Sequence, residues 1–160
     1  MTVGYVRQII PFSAVDGPGN RTVIFFQGCN MKCVTCHNPE TIPVHHNLEA
    51  IGVEAVVASV LRYRSFIDGV TITGGECTLQ KDFLHELCKA LNGEDISVLI
   101  DSNGLMIEVF ELIKPYISGV MLDVKSADES EHLWLTGVSF SNVAQNAKQL
   151  LEWGDRKSVV

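Results

Sequence analysis

Four short β-rich runs separated by stretches of helical spacing set the tightest bound on what this chain can fold into. The runs are TVIFFQ (22–27), GVTIT (69–73), ISVLI (96–100) and GVMLDV (119–124). Between them, residues 48–63 place Ile51, Val53, Val56, Val57, Val60 and Leu61 at helical intervals, and residues 80–91 do so with Phe83, Leu84, Leu87 and Leu91. Residues 107–114 read as a short helix ended by Pro115, whose ring excludes continuation, and residues 141–153 as a closing amphipathic helix. Strands alternating with helices predict an α/β fold with a parallel sheet and right-handed crossovers. KSVV (157–160) reads as a fifth strand just beginning.

Parallel sheets of this kind gather functional residues at the carboxyl ends of their strands. Each run here ends in a polar or glycine-rich signal. A cysteine-rich segment follows the first, Gly74-Gly75-Glu76 the second and Asp101-Ser102-Asn103 the third, while Asp123 and Lys125 close the fourth. One site assembled from four loops is expected. At 160 residues the chain is expected to be a single domain, 1–160, and 46% apolar with 19% charged residues describes a folded protein. A net charge of -7 argues against a general nucleic-acid binder. No segment approaches the roughly 18 apolar residues of a membrane span, and the amino terminus lacks a basic stretch followed by a long apolar run. A soluble cytoplasmic protein is expected, with neither membrane nor nucleic acid as partner.

Five cysteines, three of them within Cys29-x3-Cys33-x2-Cys36, do not make a secreted disulfide framework. Such spacing points to metal or redox chemistry. Structural zinc completed by His37, His45 or His46 is one reading, although zinc knuckles favour paired Cys-x2-Cys spacing. A [4Fe-4S] cluster on three thiolates is the other; it leaves one iron without a protein ligand, an open place for substrate or cofactor. Cys77 and Cys88 read as small buried residues, Cys88 within the apolar period of its helix.

The cysteine spacing after one strand and GGE after the next resemble the radical S-adenosylmethionine (SAM) superfamily. VDGPGNR (15–21), FFQGCNMKC (25–33), CHNPET (36–41), TGGECTLQ (73–80), DSNG (101–104) and VMLDVKS (120–126) are similar, in family order, to the activating enzymes of glycyl-radical enzymes, of which the pyruvate formate-lyase activase is the familiar member. IIPFSAVDGPG and LTGVS resemble the YjjW-type subgroup. The resemblance covers residues 8 to about 150. It implies a partial (β/α) barrel, one [4Fe-4S] cluster on Cys29, Cys33 and Cys36, and SAM bound at the open iron. One electron then cleaves the sulfonium bond, and a hydrogen leaves the Cα of one glycine in a partner glycyl-radical enzyme. Flavodoxin or ferredoxin is the implied electron donor.

The resemblance also implies roles for single residues. Gly74 and Gly75 bring the backbone close to SAM, Glu76 positions it indirectly, and Lys125 pairs with its carboxylate as a flexible point charge. Asp101, Ser102, the Met121 carbonyl and Asp123 make a monovalent-cation site, oxygen donors suiting a hard ion. Thr35 and His37 flank the last cysteine on the adenine side; the family usually has an aromatic at the Thr35 position, and threonine does not stack. Asp16 faces the partner's glycine-bearing loop. Related activases continue through a fifth and sixth strand, so a chain truncated in its fifth strand is expected. No auxiliary clusters are expected, because CHNPET runs directly into the first helix. Two alternatives remain: the short activase of anaerobic ribonucleotide reductase, and a non-catalytic metal-binding fragment.

Overall fold

The computed structural model describes residues 2–44 and 47–153. Two strands come before the first run read from the sequence: β1 (Val3–Gly4) and β2 (Val6–Ser13). That first run is β3 (Arg21–Phe26), after which β4 (Ile51–Gly52) leads directly into α1 (Val53–Leu61). Then follow β5 (Gly69–Gly74), α2 (Lys81–Gly93), β6 (Val98–Ser102), α3 (Ile107–Ile113), β7 (Gly119–Leu122), α4 (Glu129–Thr136) and α5 (Phe140–Leu151).

The main sheet has the order β2-β3-β5-β6-β7. Its last four strands run parallel, as expected, but β2 pairs antiparallel with β3. The four strands read from the sequence are the parallel ones; β2 is an additional strand. β2 contains Pro11, which an edge strand tolerates because one side of its ladder carries no partner. The helix read over 48–63 is also shorter, since Ile51 and Gly52 pair with Gly4 and Val3 instead. α4 was not read from the sequence. KSVV lies outside the described residues.

Alternation along the strands sorts their side chains by face. Ile24, Phe26, Val70, Ile72, Val98 and Ile100 enter one core with α1, α2, α3 and Leu150 of α5. Thr71 and Thr73 point the other way, and Thr73 meets Asp101 there. GVTIT therefore builds core with its aliphatic residues and a polar inner face with its threonines. Among the described residues no helix is long and apolar enough to cross a membrane.

Candidate functional site

Gln27 leaves the ladder at the end of β3, its N–H donating to Tyr5 O at 3.0 Å, and the cysteine loop begins. The two limbs of that loop are zipped together. Gly28 N donates to Thr41 O (2.8 Å), Cys29 N to Ile42 O (3.1 Å), and Gln27 Nε2 to Glu40 O and Pro43 O (3.0 and 2.9 Å). Midway, Asn103 Nδ2 donates to Asn30 Oδ1 at 2.8 Å, tying the loop to the end of β6. Lys32 N and Val34 N donate to Thr136 O and Leu135 O at the end of α4. The loop carries Cys29, Cys33 and Cys36, all free and partly exposed, into one cleft.

The opposite wall is the end of β5. Gly74 has φ +123°, and a Cβ there would lie 2.2 Å from Phe26 N; on Gly75 it would lie 2.2 Å from Gly28 O. Only glycine lets these two backbones cross so closely. Glu76 then turns inward and is 1% exposed. Its Oε1 accepts from Thr78 N (3.1 Å), Thr78 Oγ1 (2.6 Å) and Ser102 Oγ (2.8 Å), and Oε2 from Asn103 N (2.8 Å). The carboxylate is thus a tie between the ends of β5 and β6, with its hydrogen-bonding capacity engaged by protein.

Asp101 accepts from Thr73 Oγ1 at 2.8 Å. Burial pushes its carboxyl upward despite that bond, and the charges of Asp123, Glu76 and Asp16 push the same way. Lys125 Nζ stands 2.6 Å from Asp123 Oδ2. Burial alone lowers its ammonium, but the Asp123 hydrogen bond and charge, with Cys33 and Cys36, carry it above the ordinary lysine value. Burial likewise pushes the Cys29 thiol up to about 11, against the Met31 N–H that donates to its sulfur at 3.4 Å; Glu76, Cys33 and Cys36 add to the rise. Cys33 is raised by burial, with Lys125 pulling it back. Metal loading on these thiols would therefore release protons at neutral pH.

Of the residues nominated from the sequence, Asp16, Cys29, Cys33, Cys36, His37, Gly74, Gly75, Asp101, Ser102, Asp123 and Lys125 line this one cleft. Glu76 lies behind it, Met121 is paired with Asp101 within the sheet, and Thr35 is exposed outside the lining. Cys77 and Cys88 are wholly buried. His45 and His46 lie outside the described residues. The sequence reading missed Phe25, Met31, Asn38 and Thr73 as lining residues. The period of two in "FF" and "TIT" was the signal for Phe25 and Thr73. Soft thiolates on one loop suit iron–sulfur ligation. Among the described residues no three His, Cys, Asp or Glu side chains stand close enough together to share a single ion.

The sequence matches the Radical SAM superfamily over residues 23–157. The chain belongs to this superfamily. The pyruvate formate-lyase-activating enzyme of Clostridium pasteurianum is 36% identical over 141 residues, covering 86% of this radical SAM chain and 59% of the relative. The pyruvate formate-lyase 1-activating enzyme of Escherichia coli K12 is 36% identical over 155 residues, covering 92% and 63%. The chain spans about three fifths of the length of these curated relatives. The crystal structure of Streptococcus suis SuiB bound to precursor peptide SuiA superposes with a TM-score of 0.68 at 21% identity, over 86% of this chain and 31% of that one. That likeness speaks for the fold.

Proposed function

We propose that this radical SAM chain holds a [4Fe-4S] cluster on Cys29, Cys33 and Cys36, binds SAM beside it, and acts on one glycine of a partner glycyl-radical enzyme. The observation that carries this reading is the single cleft joining the three thiols to the glycine edge of β5 and to Asp101, Asp123 and Lys125. When bound, the cluster supplies the electron that cleaves the cofactor's sulfonium bond, and the cofactor supplies the carbon that takes the glycine hydrogen.

The chain's own residues orient and enclose. Cys29, Cys33 and Cys36 would hold the cluster with three thiolates, which would leave room beside it for the amino and carboxylate groups of SAM. The carbonyl edge at Gly74 and Gly75 accepts from the amino group, and Glu76 fixes that edge from behind. Lys125, which is paired with Asp123, would face the carboxylate of SAM. His37 supplies the ring beside the adenine that Thr35 does not. Asp101, Ser102, Met121 O and Asp123 offer oxygen to a monovalent cation, although Ser102 Oγ is already engaged with Glu76. Asp16 meets the glycine-bearing loop of the partner, and flavodoxin or ferredoxin is the electron donor. The names of the curated relatives support the activase reading.

Anaerobic reconstitution followed by reduction and EPR, with and without SAM, tests the proposal. The expected result is a reduced [4Fe-4S] signal that shifts on SAM addition and disappears in Cys29→Ser, Cys33→Ser or Cys36→Ser. Zinc without iron would overturn the cluster, and an iron–sulfur signal indifferent to SAM would overturn the cofactor assignment.

A further inference from the structure

LTGVS (135–139) is part of the activase resemblance, yet none of its residues lines the cleft. Its work is done by backbone. A helix leaves its last carbonyls without partners inside the helix. At the end of α4, Leu133 O accepts from Gly137 N (2.9 Å), where Gly137 turns left-handed at φ +81°, and His132 O accepts from the Thr136 hydroxyl (2.8 Å). The next carbonyls reach outward. Thr136 O accepts from Lys32 N at 3.1 Å and Leu135 O from Val34 N at 2.9 Å. Those two amides are the sequence neighbours of Cys33 on either side.

A buried knot holds the helix end in place. His132 and Thr136 are both buried; His132 Nδ1 donates to Val138 O at 3.0 Å, and Val138 N donates to Thr136 Oγ1 at 3.2 Å. We infer that this knot makes the end of α4 a clamp that positions Cys33 and keeps the reduction potential of its cluster low. The inference rests on the cluster proposed above. Hydrogen bonds to cluster sulfur favour the more negative, reduced state, so amides committed to carbonyls are withheld from it. The carboxyl end of a helix also carries partial negative charge, which opposes the arrival of an electron. Both effects act in the same direction. They set Cys33 apart from Cys29, whose sulfur does receive an amide, that of Met31.

The test has two arms. In the metal-free chain, amide hydrogen exchange at Lys32 and Val34 is compared between wild type, Thr136→Val, Thr136→Ser and Gly137→Ala. Thr136→Val and Gly137→Ala are expected to speed exchange at both amides about tenfold, and Thr136→Ser to restore protection. Trp134→Ala, 71% exposed on the same helix, serves as control and leaves both unchanged. In the reconstituted chain, an EPR-monitored redox titration is expected to give a more positive midpoint potential for Thr136→Val and Gly137→Ala, with Thr136→Ser returning toward wild type. A cluster that loads normally but keeps its potential in both variants, or unchanged exchange at Lys32 and Val34, overturns the clamp. Failure of the wild-type chain to load any cluster removes the potential-setting role together with the function reading, while the exchange arm decides the positioning of Cys33 by itself. Near-ultraviolet circular dichroism identifies a variant that has lost its packing, and the other substitution then decides.

Discussion

Glu76 concentrates four donors on one buried carboxylate, which makes it the most sensitive polar position near the cleft. In Glu76→Gln one oxygen becomes a donor and confronts either Asn103 N or the Thr78 and Ser102 groups. A buried donor then loses its acceptor, and a cost of about 1–3 kcal/mol is expected in urea unfolding of the metal-free chain. Asp101 works in the opposite sense. Its carboxyl sits above the ordinary value in the folded state because burial and neighbouring carboxylates disfavour its charge. The folded chain therefore holds that proton more tightly than the unfolded chain, so Asp101 takes stability away as pH rises from the unfolded carboxylate range through the folded value. Asp101→Asn keeps a group able to bond Thr73 and is expected to stabilise the metal-free chain at pH 7 by about 1 kcal/mol, a common gain when a functional site is relieved. The advantage should shrink as the pH of thermal melts is lowered. An advantage that grew toward acid pH would contradict the assignment.

Among the elements, the turn between β2 and β3 shows how Asp16 is held. Thr71 Oγ1 donates to Asp16 O at 2.6 Å and accepts from Arg21 Nε at 2.9 Å, while Arg21 Nη2 donates to Val70 O and Ser97 O. Arg21 is 2% exposed and joins the starts of three strands. The nearly isosteric Thr71→Val removes both hydroxyl bonds and leaves a buried guanidinium N–H without an acceptor. A loss of about 1–3 kcal/mol is expected, with faster limited proteolysis within residues 13–20. Equal cleavage rates in the two proteins would show that Thr71 does not anchor the turn. At this scale the sequence was legible wherever apolar spacing was strong, as in α2 with Phe83, Leu84, Leu87 and Leu91. It was less legible for α4, which buries only His132 and Thr136 and exposes Leu133 and Trp134. The signals present there were end signals: Asp128 caps Glu131 N at 2.9 Å, and Gly137 closes the helix. β2 was hidden for a similar reason, since a half-exposed edge strand has no clean alternation and Pro11 interrupts it.

For the molecule as a whole, one continuous apolar core reaches from Ile24 in β3 through α1, α2 and α3 to Leu150 in α5. Among the described residues α4 adds no side chain to that cluster; hydrogen bonds attach it to the cysteine loop, and the His132–Phe140 ring contact attaches it to α5. Thermal unfolding of the metal-free chain is accordingly expected as one transition, with far- and near-ultraviolet circular dichroism coincident. Leu87→Ala, at a wholly buried position, should shift both together by about 2–5 kcal/mol. Separate transitions would show that α5 or the β2 hairpin folds on its own. The net charge of -7 does not influence this outcome, because it concerns solubility and encounter rather than fold.

The sequence by itself determined the four parallel strands, the helices between them and the loops that gather at the strand ends. Those follow from local periodicity and from glycine and proline signals, which the chain carries within a few residues of where they act. It also supplied the cysteine spacing and, through family resemblance, many residues of the cleft, though not Phe25, Met31, Asn38 or Thr73. Tertiary structure decided what depends on distant partners: that Glu76 ties two strand ends, that Thr71 and Arg21 hold the Asp16 turn, that β2 closes one edge antiparallel. The grip of Leu135 O and Thr136 O on the amides around Cys33 is of the same kind. Backbone hydrogen bonds between residues a hundred positions apart leave no pattern in either segment, because every residue except proline offers the same N–H and C=O.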